Sequence, residues 1–61
     1  MKRYEVIKMT KGRASRLREM VEDFINDKAA EGYEIISVGL GIDAHYTPTA
    51  FITIAYEEDL S

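Results

Sequence analysis

The 61 residues include no cysteine, no tryptophan, one proline and one histidine. Without cysteine, neither disulfides nor Cys-based zinc sites can hold the fold. His45 stands alone among scattered carboxylates, so no ligand cluster for a structural metal is expected, and no cofactor is implied. No apolar run approaches the roughly 20 residues of a membrane span. The charged, alternating opening has no apolar h-region behind it, so a signal peptide is not expected. These absences suit a cytoplasmic protein that does not engage a membrane. The net charge of −3 also argues against binding a nucleic-acid polymer, which calls for excess positive charge over a whole face.

A chain of this length makes a single domain, residues 1–61, and a marginal one. It buries only about 60% of the surface that its unfolded form exposes. Small domains compensate with disulfides, a metal or a partner subunit. With the first two set aside, association with further copies of the same chain is the expectation.

The net charge hides a strong asymmetry. Seven of the eight basic residues lie in the first eighteen positions, whereas every acid except Glu5 lies from Glu19 onward. A local group of cations can hold an anion even in an acidic protein. Equally, the two halves of one fold can neutralise each other.

Residues 3–9 concentrate β-branched and aromatic side chains and read as a strand, with Tyr4 and Val6 on one face and Ile7 and Met9 on the other. Thr10-Lys11-Gly12 is a turn signal, with Gly12 free to take positive φ. From Ala14 the period changes. Leu17, Met20/Val21, Phe24/Ile25 and Lys28/Ala29 recur at three and four, the stripe of a helix over residues 15–31. Ser15 is the candidate N-cap, and Gly32 suits the left-handed residue that ends the helix. Ile36, Val38, Leu40 and Ile42 then form one file of a period-two strand. Gly39 and Gly41 fall on its other face, which suggests a bulge, a bend, or close approach of another backbone or a ligand. Residues 43–48 have turn chemistry, and residues 49–57 form the last strand. Glu58 and the residues after it are expected to fray.

The order β-α-β-β implies an α+β fold, a three-stranded antiparallel sheet with one helix packed on one face. One helix cannot cover both faces. If the helix takes the other file, Ile7, Met9, Ile35, Phe51 and either Tyr33 or Tyr56 lie on the far side. An apolar face of that extent marks an association surface, hence the expected homo-oligomer.

The run Ala30-Glu31-Gly32-Tyr33-Glu34-Ile35-Ile36-Ser37-Val38 resembles the helix–turn–strand signature E-G-W/Y-E-[LVI]-[LVI]-S-V of a family of small bacterial and phage domains. The opening Met1-Lys2-Arg3-Tyr4-Glu5-Val6-Ile7 is similar to that family's first strand, so the resemblance spans nearly the whole chain. The chain departs from the pattern with Tyr33 where tryptophan is usual, and with Tyr56-Glu57-Glu58 where a basic close is common. The resemblance implies the fold and carries no activity. The β-α-β-β order also resembles dodecins, small flavin-storing oligomers. Dodecins usually stack their ligand on tryptophan, which is lacking here.

Catalysis is not expected. No cysteine nucleophile exists, no serine stands beside His45, and Asp43-Ala44-His45 is ordinary turn chemistry. Glu22-Asp23 and Glu57-Glu58 are read as solvated rather than as an acid–base pair. The strand-to-helix junction offers more. Lys8, Lys11, Gly12, Arg13 and Arg16 surround a helix start, whose free N–H groups and dipole favour an anion. The alternative is that Arg16 and Arg18 pair with Glu19, Glu22 or a neighbouring subunit. In the later loop, His45 and Tyr46 provide an imidazole and an aromatic face that can grip a ring. Together these residues suit a non-enzymatic oligomer that captures a small anionic, nucleotide-like ligand between subunits. By analogy with small oligomeric phage proteins, that would suit sequestration of a host signalling nucleotide. The alternative is a structural or regulatory module that binds another protein through its apolar sheet face.

Overall fold

A computed structural model describes residues 1–58. It contains β1 (Lys2–Thr10), α1 (Ala14–Ala30), β2 (Glu34–Ile42) and β3 (Pro48–Glu57). The sheet order is β1-β3-β2, and β3 pairs antiparallel with both neighbours. The α+β fold expected from the sequence is therefore the fold observed, with the last two strands joined as a hairpin. None of the helices among the described residues is long and apolar enough to cross a membrane.

The core lies between α1 and the central strand. Leu17 and Val21 of α1 meet Ala50, Ile52 and Ile54 of β3, all buried, and Ile7, Met9, Phe24, Ile25, Tyr33 and Ile35 pack around them. Residues directly opposite in an antiparallel pair share a face. Ile7 opposes Ile52 and Met9 opposes Ala50, while Ile35 opposes Ile54. The expectation that Ile7, Met9, Ile35 and one of Tyr33 and Tyr56 lie on the far side is therefore corrected: the first three face the helix, Tyr33 packs on the core, and Tyr56 shares the face of Ile54 and meets the Tyr33 ring. The cause in β2 is an irregularity between Ile35 and Ser37. One extra residue there changes the parity, so that Ile35 and Val38 come to share a face. The bulge thus sits before the two glycines and not at them. Phe51 does lie on the uncovered face, beside Lys8 on β1 and Gly39 on β2.

Both ends of the helix have a local cause. At its C-terminus, Gly32 adopts φ 97°. Its N–H donates to the Ala29 carbonyl, and the N–H of Tyr33 donates to the Lys28 carbonyl, each at 3.0 Å. These two bonds make a Schellman motif, which satisfies carbonyls the helix would otherwise orphan. Tyr33 then holds the helix end to the sheet. Its ring meets Tyr56 edge-on at 5.2 Å, and Lys28 Nζ lies 4.8 Å from its centroid. At the N-terminus the cap is Arg13 in an extended conformation, with no side-chain capping bond. Ser15 already lies inside the helix and is not the N-cap. Positive φ among glycines is confined, within the described residues, to Gly32, so Gly12 does not use that freedom.

At the far end of the sheet, Met1 and Glu58 exchange backbone hydrogen bonds of 2.8 and 3.1 Å. Arg3 Nε lies 3.0 Å from Glu58 Oε2. Glu58 is thus tied to the sheet rather than frayed, while the rest of that expectation falls on residues 59–61, outside the described residues.

The molecule is a plate of 44 × 22 × 14 Å with a radius of gyration of 13.0 Å. A compact domain of this length has a radius of gyration of about 10.5 Å. Its 4607 Å² of accessible surface likewise exceeds the roughly 4,000 Å² of a compact monomer of its mass. The excess is apolar in part. Tyr4, Val6 and Phe51 stand exposed on the uncovered face, and Val38, Leu40 and Ile42 are exposed on the helix side, past the area that α1 shields.

Candidate functional site

The basic junction and the hairpin loop meet at one end of the sheet. The N–H of Lys11 donates to the Pro48 carbonyl at 3.3 Å, which ties the β1–α1 junction to the start of β3. The loop is organised by Asp43. Its Oδ1 accepts from the N–H of His45 at 2.8 Å and from that of Thr47 at 2.9 Å. Those two donors, Thr47 first, hold the Asp43 carboxyl below its usual range. Tyr46 follows at φ 61° with its ring in solvent.

Charge is divided within this end. Arg16 pairs with Glu19 at 3.7 Å and Arg18 with Glu22 at 3.3 Å, both along the helix. That is the local charge pairing expected as the alternative to an anion site, and exposed pairs of this kind are weak. Lys8, Lys11 and Arg13 make no ion pair among the described residues. No acid occupies the first turn of α1. At the opposite end of the sheet, by contrast, Lys2 is engaged by Glu34 at 2.8 Å, and the carboxylate raises the lysine's pKa.

Two concavities lie nearby, and they separate the residues that the sequence grouped. One, of about 420 Å³, runs beside α1 and is lined by Lys11, Arg16, Glu19, Met20 and Asp23. Its two cations face two acids, so it has no net preference for an anion. The other, of about 370 Å³, lies over the end of β2 and is lined by Lys8, Gly39, Leu40, Gly41, Ile42, Asp43, Thr49 and Phe51. Gly12, Arg13, His45 and Tyr46 line neither concavity, although they belong to the same end of the molecule.

The register explains the second concavity. Lys8, Phe51 and Gly39 form one row across the three strands on the uncovered face, and Thr10, Thr49 and Gly41 form the next. The two glycines make a flat floor, Phe51 forms a wall, and Lys8 stands beyond it. Neither glycine has positive φ. A β-carbon at Gly39 would meet nothing closer than the Phe51 carbonyl at 4.0 Å, and one at Gly41 would meet nothing within 4 Å. Glycine in a strand is destabilising, so it usually reflects a backbone need or a close approach. Nothing among the described residues supplies that need. Phe51, Thr49 and the two glycines escaped the sequence-level grouping. The one available signal was the glycines' shared face, which admitted a bend as readily as a ligand.

Comparison of the chain with family models, with curated proteins and with solved structures gives no significant match.

Proposed function

We propose that this protein is a non-enzymatic, homo-oligomeric binding protein that captures a small anionic ligand with a flat ring, of the nucleotide class. The observation that carries this reading is the pair of glycines at the floor of the 370 Å³ trough, unexplained by backbone conformation or internal packing. A planar base can lie against a bare strand backbone and beside the Phe51 ring, where aromatic contacts add to simple area burial. Lys8, without an ion-pair partner among the described residues, meets the phosphate. Lys11 and Arg13 add charge from the junction, along with the uncapped N–H groups of α1. His45 and Tyr46 reach the ring from a neighbouring subunit's loop. By analogy with small oligomeric phage proteins, such capture suits sequestration of a signalling nucleotide.

Titration calorimetry with mono-, di- and cyclic dinucleotides tests this reading. A charge-assisted contact is worth roughly 1.5–3 kcal/mol, so Lys8→Gln should weaken binding about tenfold or more. Gly41→Val places a side chain on the floor, in space the chain itself leaves open, and should abolish binding without lowering the melting temperature. Absence of submillimolar binding by any of these nucleotides, or wild-type affinity in both variants, refutes the reading.

A second reading is favoured by Tyr4 and Val6, which are exposed on the same face and which the trough does not employ. In it the uncovered face binds another protein, nucleotides produce no thermal shift, and Val6→Lys abolishes capture of that partner.

A further inference from the structure

The two edges of the sheet are built differently. β1 carries Lys2, Arg3, Glu5 and Lys8 along its length, and charges of this kind are a common protection against edge-to-edge pairing. On β2, residues 35–42 (Ile-Ile-Ser-Val-Gly-Leu-Gly-Ile) contain no charge and no proline. Its outer edge has no strand partner among the described residues, and Ile36, Val38, Leu40 and Ile42 are all exposed. A long, uncharged, apolar edge is a template for another strand.

We infer that β2 pairs antiparallel with β2 of a second copy about a two-fold axis near Val38, so that two sheets become one of six strands. The occupant follows from how α1 crosses the sheet. Each helix covers only the start of its own β2, where Tyr33 and Ile35 pack on the core, and leaves Val38, Leu40 and Ile42 open. Antiparallel pairing about Val38 sets the open half of one β2 beside the covered half of the other. The end of the partner's helix then lies next to Leu40 and Ile42. The contact is self-complementary, as a two-fold interface requires. No charge between residues 35 and 42 has to be desolvated, and Glu34, at the margin, already has Lys2 as its partner. The exposed apolar side chains and strand backbone amount to on the order of 500 Å² per copy, about 1,000 Å² in all, the lower limit for a specific interface.

Because the chain has no cysteine, single cysteines report the contact without ambiguity. Sedimentation equilibrium at 100 µM should give twice the 7.0 kDa chain mass or a multiple of that. Val38→Cys should form a disulfide-linked dimer under mild oxidation, whereas Val6→Cys next to the other edge should not. Leu40→Lys, at a position already in solvent, should halve the mass while keeping the folded circular dichroism spectrum. A folded wild-type monomer, or cross-linking through Val6→Cys and not Val38→Cys, overturns the pairing.

Discussion

Ile52 and Val38 lie opposite each other on one face of the sheet, as do Ala50 and Leu40. Ile52 and Ala50 are 0% exposed, yet Val38 and Leu40 are 39% and 64% exposed. Their chemistry barely differs, so position decides their fate. β3 is the central strand, flanked on both sides and roofed by Leu17 and Val21. β2 is an edge, and the helix covers only its start. Burial here is a property of where a strand sits and which way the helix runs. Its hydrophobicity alone does not secure it. The surplus of apolar surface on β2 is then either waste or an unfinished interface, and substitutions can distinguish these.

The largest effect should come from the buried member of the comparison. Truncating a fully buried isoleucine costs about 2–5 kcal/mol, while a domain of 61 residues holds roughly 3–9 kcal/mol in total. Ile52→Ala should therefore leave little or no cooperative urea transition. Ile42→Ala, on the open half of β2, should change the stability of a dilute sample by no more than about 0.5 kcal/mol. Raising the protein concentration sharpens the contrast. If the stability lost in Ile42→Ala grows with concentration, a second copy covers that side chain. If Ile42→Ala matches Ile52→Ala even at nanomolar concentration, the helix shields more of β2 than its exposure indicates.

The same contrast marks how far the sequence could be read. Element order, the hairpin and the helix end at Gly32 follow from local chemistry, since periodicity and the left-handed C-terminal residue act over a few neighbours. The faces do not follow. A single extra residue between Ile35 and Ser37 inverts the parity of β2, and nothing in Ile-Ile-Ser-Val announces it. Nor is the sheet order local. Because β3 enters between β1 and β2, Lys8, Phe51 and Gly39 become a row, although 43 positions separate Lys8 from Phe51 and the sequence shows no direct link. The basic junction was legible as a cluster, but its division between a charge-balanced groove and a glycine-floored trough depends on that row.

An intermediate effect tests the point where the helix leaves β2. Gly32 is at φ 97°, a region where a β-carbon costs about 1–2 kcal/mol. Gly32→Val should lower urea-measured stability by about that much. Gly39→Ala should be neutral or slightly stabilising in the monomer, because a glycine inside a strand is itself worth roughly 0.5–1 kcal/mol less than alanine and its β-carbon would find room. The reverse order would show that a backbone constraint at Gly39 has been missed. The expected order would leave the glycine to be explained by something outside the chain.

The smallest effect concerns Tyr46, which occupies its position at a local cost. At φ 61° a non-glycine residue is uncommon, and asparagine is enriched several-fold there. The residue is 83% exposed, so packing does not repay the conformation. Tyr46→Asn should therefore stabilise the fold by a few tenths of a kcal/mol, up to about 1, raising the melting temperature by no more than about 4–8 °C. The Asp43 hydrogen bonds to His45 and Thr47 involve backbone N–H groups, so the substitution leaves the loop's frame in place. If the variant melts higher and binds nucleotide less tightly, the tyrosine is kept for its ring and not for the turn. If it melts higher and binds as before, Tyr46 drops out of the ligand site. A lower melting temperature would mean that the ring is covered in the assembled protein, which would extend the interface beyond β2 to the hairpin loop.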